Sequence, residues 1–178
     1  MATELDTAEV TQILNEQLGR PVPMIDELLE AMRLNLWPSL EAQGYDEEPC
    51  KPRSYHYAGE QEIGKRGWPA VVVGGSFNTT EFGMGHMDEA EIAITAAMPP
   101  EITRRQLRRS YDIVCVARAI LYHPTYRANH RDETDSTKVL WTELHPAGFR
   151  IVPADFKFYS GWQARFIVRQ APGSNLWT

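Results

Sequence analysis

The segment RRQLRRSYDIVCVARAIL, residues 104–121, opens with four arginines in six positions and continues as a nearly unbroken apolar run. Its apolar residues recur at helical spacing and form one broad stripe: Leu107, Tyr111, Ile113, Val114, Val116, Ala117, Ile120 and Leu121. A stripe this broad is typical of a helix that is buried over much of its circumference. We therefore predict a long core helix over about residues 101–123.

A basic face covers the first two turns of this predicted helix and consists of Arg104, Arg105, Arg108 and Arg109. Cations near a helix N-terminus oppose the helix dipole, so something must offset them. The offset could come from Glu101 and Asp112 at helical spacing, from an acidic patch on another subunit, or from a phosphate backbone. The first two remain open alternatives, whereas the net charge of −6 disfavours phosphate.

Two helices are predicted before this one. Asp6 and Glu9 cap a short helix over 7–18. Apolar residues at helical spacing predict a second helix over about 24–43, which Pro38 should kink or restart and Gly44 should end.

The remaining apolar segments predict strands. PAVVV (69–73) and AEIAITAA (90–97) flank a long glycine-rich loop at 74–88, and SYHY (54–57) is a possible edge strand. After a polar loop at 123–136, KVLWTEL and GFRIV are predicted to form one hairpin through HPA. FKFY and WQARFIVRQ form another through Ser160-Gly161. The last strand alternates, with Trp162, Ala164, Phe166 and Val168 inward.

This order predicts an α+β fold, in which an antiparallel or mixed β-sheet packs against one long helix with N-terminal helices beside it. Residues 1–23 are predicted to be an N-terminal helix or arm, 24–170 a single α+β domain, and 171–178 a flexible tail. The N-terminus shows no secretory signal, and no apolar run is long enough to span a membrane. Cys115 is predicted to be a core residue and Cys50 to lie in a polar segment. A disulfide between them is possible but not required.

No segment of the sequence indicates catalysis. The loop at 74–88 lacks Gly-Lys-Ser/Thr and precedes a strand, so it does not match a phosphate-binding loop. Ser76 fails the nucleophile-elbow pattern, the five histidines lack zinc-site spacing, and Glu89 with Glu91 indicates the solvated face of a strand. We therefore predict no catalytic residue, no metal ligand, no cofactor and no enzymatic activity.

Exposed aromatic residues favour a role in assembly. Trp177 lies in the Gly/Ser-flanked tail, where it could anchor the chain in a pocket of a neighbouring subunit. The alternative is an ordered tail that packs on its own sheet.

The order of elements resembles the tail terminator, or tail-completion, proteins of long-tailed bacteriophages. The matching features span about residues 22–170: IDELLEAMRLNLWPSL, PAVVVGG, AEIAITAA, TRRQLRRSYDIVCVARAIL and WQARFIVRQ. This resemblance implies a virion protein, made in the host cytoplasm, that forms a ring, typically a hexamer, at the head-proximal end of the tail. There it would end tail-tube polymerisation and join the neck.

The resemblance also implies partners. These are further copies of the chain, the tail-tube protein and a neck or head-completion protein, while DNA passes through without sequence-specific binding and no membrane is involved. The loop at 74–88, with Phe77, Phe82 and Met84, would contact the tube or the neck. Two other hypotheses stay open. One is a small α+β enzyme or ligand-binding domain that uses this loop with His86, His123 or His130, and the other is a monomeric adaptor.

Overall fold

The computed structural model describes residue 8 and residues 21–82, 85–131, 139–153 and 155–170. Its helices are α1 (Pro21–Ala42), α2 (Arg104–Leu121) and the short α3 (Pro124–Arg127), with a 3-10 turn at Glu48–Cys50. The strands are β1 (Ser54–Tyr57), β2 (Ala70–Phe82), β3 (Gly85–Met98), β4 (Ala128–Arg131), β5 (Val139–Ile151) and β6 (Ser160–Gln170). The predicted helix at 7–18, apart from Ala8, and the predicted tail at 171–178 lie outside the described residues.

The six strands form one sheet in the order β1-β2-β3-β6-β5-β4. β1 pairs with β2 in parallel, and every other neighbouring pair is antiparallel, so the sheet is mixed. The predicted α+β class is therefore confirmed, and so is the edge strand at 54–57. The helical layer differs from the predicted single long helix. Two long helices pack on the sheet, α1 with 22 residues and α2 with 18.

The main core lies between the two helices and one face of the sheet. α1 contributes four fully buried residues at helical spacing, Leu28, Met32, Leu36 and Leu40. The sheet faces them with alternate residues of each strand, as the pleat requires: Val71, Val73, Ile92, Ile94, Ala96, Met98, Ala164, Phe166 and Val168. The predicted inward face of β6 is thus confirmed, with Trp162 half-buried at its end.

The end of α1 follows the predicted stop signal. Gly44 has a φ of +80°, and its N–H donates to the carbonyl of Glu41 at 3.0 Å. The N–H of Tyr45 donates to the carbonyl of Leu40 at 2.9 Å, which completes a Schellman cap. Pro38 does not restart the helix, since α1 continues through it to Ala42, and the predicted kink stays a prediction.

The predicted loop at 74–88 is wrong. β2 continues to Phe82 and β3 begins at Gly85, in an unbroken antiparallel register from Ala70↔Ala97 to Phe82↔Gly85. Gly75 serves close packing in this hairpin, since a Cβ atom there would lie 2.6 Å from the carbonyl oxygen of Glu91.

Both predicted C-terminal hairpins are also wrong. β5 is one strand over Val139–Ile151, because a bulge between Pro146 and Gly148 absorbs the HPA segment. FKFY is not a strand, and Ser160-Gly161 begins β6 instead of forming a turn.

Part of the predicted polar loop at 123–136 is ordered into short elements. His123 caps α3 by accepting a hydrogen bond from the N–H of Thr125 at its Nδ1 atom, and β4 follows at once and pairs with β5. Residues 132–136 lie outside the described residues.

Among the described residues, those that cover the second face of the sheet cluster at one end. There Ile63 and Trp68 pack with Val152 and Tyr159 over Ala70, Val72 and Ala97. Farther along, Glu89 accepts from Nε of Arg169 at 2.9 Å, and Glu91 accepts from Nε of Arg165 at 2.8 Å. Both glutamates are half-buried and paired with β6, and are not the freely solvated pair that the alternation predicted.

Candidate protein interface

The basic face begins at a well-capped helix terminus. The side chain of Thr103 accepts from the N–H of Gln106 at 3.2 Å, and Oε1 of Gln106 accepts from the N–H of Thr103 at 2.9 Å. This capping box starts α2 at Arg104. Because its first turn contains no acidic residue, the helix itself does not compensate the arginines that follow.

Two of the four arginines are compensated by a distant carboxylate. Oε2 of Glu47 lies 3.1 Å from Nη2 of Arg109 and 3.7 Å from Nη2 of Arg105. Glu47 lies between α1 and the 3-10 turn, so the compensating acid comes from the same chain but not from α2. The predicted pairing of Glu101 with Arg105 is not among the ion pairs of the described residues.

The other two arginines, Arg104 and Arg108, are exposed. Within the described part of the chain, no carboxylate oxygen lies within 4 Å of either guanidinium group. Arg108 still acts electrostatically on Asp112, one helical turn away, although burial is the larger influence and the pKa of Asp112 is raised. The net result is a surplus of positive charge at the exposed start of the core helix.

Below this face lies a small cavity of about 230 Å³, which is lined by Gly44, Tyr45, Glu47, Cys50, Arg105, Arg108, Arg109 and Asp112. Burial raises the pKa of Asp112 and outweighs the opposing effect of Arg108. Burial also raises the pKa of the Cys50 thiol, mainly because the thiolate would lose its hydration.

The prediction that Cys115 is a core residue is wrong, and Cys50 is the more deeply buried of the two cysteines. Cys50 is buried, although it lies in a polar segment, because the 3-10 turn packs it under the start of α2. Cys115 is only half-buried, because it faces a groove between α1 and α2. Both thiols are free.

That groove has a volume of about 740 Å³ and a mixed lining: Asn35, Ser39, Gln43, Tyr45, Asp112, Cys115, Val116, Ala119, Ile120, His123, Thr125 and Tyr126. The amide of Asn35 donates to the hydroxyl of Tyr126 at 3.3 Å and to the carbonyl of Ala31 at 2.9 Å. Nδ1 of His123 is engaged with Thr125 in the cap of α3.

The histidines are dispersed over the fold. His130 is buried, its Nδ1–H donates to the carbonyl of Thr125 at 3.0 Å, and its Nε2 lies 2.7 Å from Oε1 of Glu27. Its ring stacks on Trp141 at 4.5 Å between centroids. Among the described residues, no group of three or more His, Cys, Asp or Glu side chains could hold a metal ion.

The other predicted interface residues do not join the basic face. Phe77 and Phe82 lie in β2, and their side chains are outside the described part, as are Met84 and Trp177 altogether. Gly85, the partner of Phe82, is separated from Met98 by 13 residues of β3, or about 43 Å along the strand. Because α2 follows the Met98 end, the structure places Phe82 far from the arginines.

Sequence reasoning missed one exposed aromatic group. Ile151, Phe156 and Phe158 are all exposed, and Phe158 retains 75% of its accessible surface. Phe156 contacts Phe158 and Tyr159, with ring centroids 5.5 and 4.7 Å apart. The alternating aromatics of FKFY were visible in the sequence, but they were interpreted as a strand.

In the part of the chain that the structure describes, no helix is both long and apolar enough to cross a lipid bilayer. Comparison with known proteins adds no relative: no family model matches the chain, and no curated protein matches it.

Proposed function

We propose that this chain is a structural subunit that forms a ring at the head-proximal end of a bacteriophage tail, where it ends tail-tube polymerisation and joins the neck. The element order supports the resemblance to tail terminator proteins in part: α1 precedes β2 and β3, α2 follows them, and β4, β5 and β6 come last. The extended loop that the resemblance includes between β2 and β3 is replaced by paired strand at 74–82 and 85–88. A ring also needs two different patches on each subunit that fit each other, because its contacts are head-to-tail.

The surplus charge of Arg104 and Arg108 is the observation that carries this proposal. Both groups are exposed without a carboxylate within 4 Å among the described residues, and Arg binds carboxylates through a planar fork. An acidic surface on a neighbouring polypeptide would therefore form ion pairs with both guanidinium groups.

The chain carries a suitable acidic patch of its own. Asp26 and Glu30 are exposed one turn apart near the start of α1, and Glu30 also forms an exposed ion pair with Arg33 at 3.3 Å, which a stronger contact with Arg108 would replace. α1 runs antiparallel to α2, since Glu47, just past its end, reaches Arg105 and Arg109. The acidic patch therefore lies about 27 Å from the basic one along the helix axis. We propose that Arg104 and Arg108 of one copy contact Asp26 and Glu30 of the next.

Charge exchange tests this contact. We expect the wild-type chain to form rings at micromolar concentration, as measured by sedimentation and electron microscopy, and Arg104→Glu/Arg108→Glu to prevent them. Asp26→Arg/Glu30→Arg should prevent them as well. Mixing the two variants should restore rings, because in alternating subunits half of the contacts are wild-type and the other half have their charges exchanged.

The pair Arg105→Glu/Arg109→Glu is the matched control, because it makes the same change of charge but at residues that Glu47 already engages. It should lower thermal stability and leave ring formation intact. A wild-type chain that stays monomeric at tens of micromolar, or rings that are indifferent to the charge reversals, would contradict the proposal.

The alternative of a small enzyme or ligand-binding domain rested on a loop at 74–88 with nearby histidines. Residues 74–82 and 85–88 lie in strands, and His130 lies in β4 at the opposite edge of the sheet from β1. No observation on the described residues brings these groups together or favours this alternative.

A further inference from the structure

The outer edge of β2 is long and unpaired within the described residues. β1 pairs only with Ala70–Val73, whereas β2 runs on for nine residues, from Gly74 to Phe82. At 3.3 Å per residue this open edge is about 30 Å long. On its other side β2 keeps a continuous register with β3, so its backbone is extended and regular.

The pairing with β1 fixes which backbone groups point outward. The carbonyls of Pro69 and Val73 accept from the N–H groups of Arg53 and Ala58. Because successive residues of a strand alternate, the odd-numbered residues direct their N–H and C=O groups to that side. Beyond β1 these residues are Gly75, Phe77, Thr79 and Glu81.

Proteins usually protect such an edge with lysine, proline, a bulge or a very short strand. The segment GGSFNTTEF has no lysine and no proline, and its register has no bulge. The other edge of the sheet is protected, because β4 has only four residues and the free stretch of β5 carries Pro146 and a bulge.

We infer that the open edge of β2 pairs with the same edge of a second copy, in an antiparallel register centred on Asn78. In this register Phe77 faces Thr79 of the second copy and Gly75 faces its Glu81. The four resulting pairs of outward-pointing residues would form about eight main-chain hydrogen bonds. The only charged residue of the segment then faces glycine, so no like charges oppose each other.

A second copy pairs more favourably through its own β2 edge than through its β5 edge. Pro146 has no N–H group, and the bulge beside it interrupts the regular spacing of donors and acceptors on β5. A two-fold contact through β2 also differs from the head-to-tail contact proposed above, and it does not depend on that contact.

Cysteine cross-linking tests the register. Two copies of Asn78 would form a pair without mutual hydrogen bonds, with Cα atoms about 4.5 Å apart, which suits a disulfide. In a Cys115→Ser background, we expect Asn78→Cys to form a disulfide-linked dimer rapidly under mild oxidation. Thr80→Cys is the matched control, since its two copies would lie about 13 Å apart along the strands. Equal rates, or a faster reaction of Thr80→Cys, would overturn the inference.

A backbone variant tests the hydrogen bonds themselves. Thr79→Pro removes an outward N–H group and leaves the ladder to β3 intact, whereas Thr79→Val retains that group. We expect Thr79→Pro to weaken dimerisation at least 10-fold in sedimentation equilibrium and Thr79→Val to leave it within 2-fold. Equal dimerisation by the two variants would contradict the inference.

The two proposals can fail separately. Arg104→Glu/Arg108→Glu should abolish rings but leave the cross-linking of Asn78→Cys unchanged. Loss of cross-linking in that variant would show that the contact through β2 depends on the ring. If Thr79→Pro does not fold, the comparison of Asn78→Cys with Thr80→Cys decides alone.

Discussion

The hydroxyl of Ser110 accepts a 2.7 Å hydrogen bond from the backbone N–H of Trp162. The same hydroxyl donates to the carbonyl of Ala96, also at 2.7 Å. Ala96 and Trp162 are register partners in β3 and β6, so a side chain of α2 links the backbones of the two central strands. Ser110 is fully buried, and it therefore fixes the core helix to the sheet by polar contacts as well as by packing.

Replacing Ser110 should be costly. Ser110→Ala would leave a buried donor and a buried acceptor without their partner, and we expect the free energy of unfolding to fall by about 2–4 kcal/mol. Ser54→Ala is the matched control, because Oγ of Ser54 is buried with no hydrogen-bond partner in the described residues. It should leave stability unchanged or raise it by up to about 1 kcal/mol. Urea denaturation measures both, and equal losses would contradict the role assigned to Ser110.

Gly161 makes this close approach possible. Its φ is +138°, and a Cβ atom there would meet the carbonyl oxygen of Ala96 and lie 2.8 Å from Oγ of Ser110. We expect Gly161→Ala to lower the free energy of unfolding by about 2–4 kcal/mol, because backbone atoms must move. Gly148→Ala, at a φ of +102° with nothing within 4 Å, isolates the cost of the backbone conformation alone. A smaller loss at 161 than at 148 would contradict the steric argument.

The raised pKa of Asp112 predicts a pH-dependent stability. Its carboxyl binds a proton more tightly in the folded chain than at the ordinary value of 3.8, so folding disfavours the charged form. The protonated carboxyl therefore contributes to the free energy of unfolding below pH 3.8, and this contribution is lost as the pH rises through the pKa of the folded chain. Asp112→Asn should therefore raise the melting temperature at pH 7, and the gain should vanish below about pH 3.8.

Asp155→Asn, at an exposed loop position, is the control for this effect and should show no comparable gain. The measurement is a series of thermal melts between pH 3 and pH 8. A gain from Asp112→Asn that grows as the pH falls would refute the assignment of burial as the dominant cause.

The cysteines should differ in reactivity. We expect iodoacetamide at pH 8 to modify Cys115 at least 10-fold faster than Cys50, because Cys115 faces an open groove while burial raises the pKa of the Cys50 thiol. Peptide mass spectrometry over time gives both rates. In urea the rates should converge, and faster modification of Cys50 in the folded chain would overturn the observed burial.

The sequence was sufficient for elements whose signals are local. The stripe of α2, the Gly44 stop of α1 and the alternation of β6 depend on neighbours within a few residues. The strand at 74–82 was missed because Gly74 and Gly75 indicate a loop, and only pairing with β3 shows that their lack of a side chain permits close packing. Pro146 led to the wrong prediction of a hairpin through HPA for the same reason. A bulge that tolerates proline cannot be recognised before its partner strand is known.

The candidate interface shows the same limit. The four arginines are recognisable, but sequence spacing offers only Glu101 and Asp112 as partners within the chain and leaves an acidic patch on another subunit as the open alternative. Glu47 lies 62 positions before Arg109, and only the antiparallel packing of α1 on α2 brings the two together. The division into two engaged and two available arginines is thus a property of the fold, and it determines which substitutions should affect association.

The place of β6 in the sheet has a consequence for biosynthesis. The last described strand along the chain lies inside the sheet, between β3 and β5. A ribosome must release residues up to about 170 before Ile92, Ile94 and Leu144 acquire their neighbour Phe166. The nascent chain therefore cannot bury its apolar centre stepwise as it emerges. The domain closes only after β6 has left the ribosome, and shorter nascent chains expose their apolar residues to chaperones.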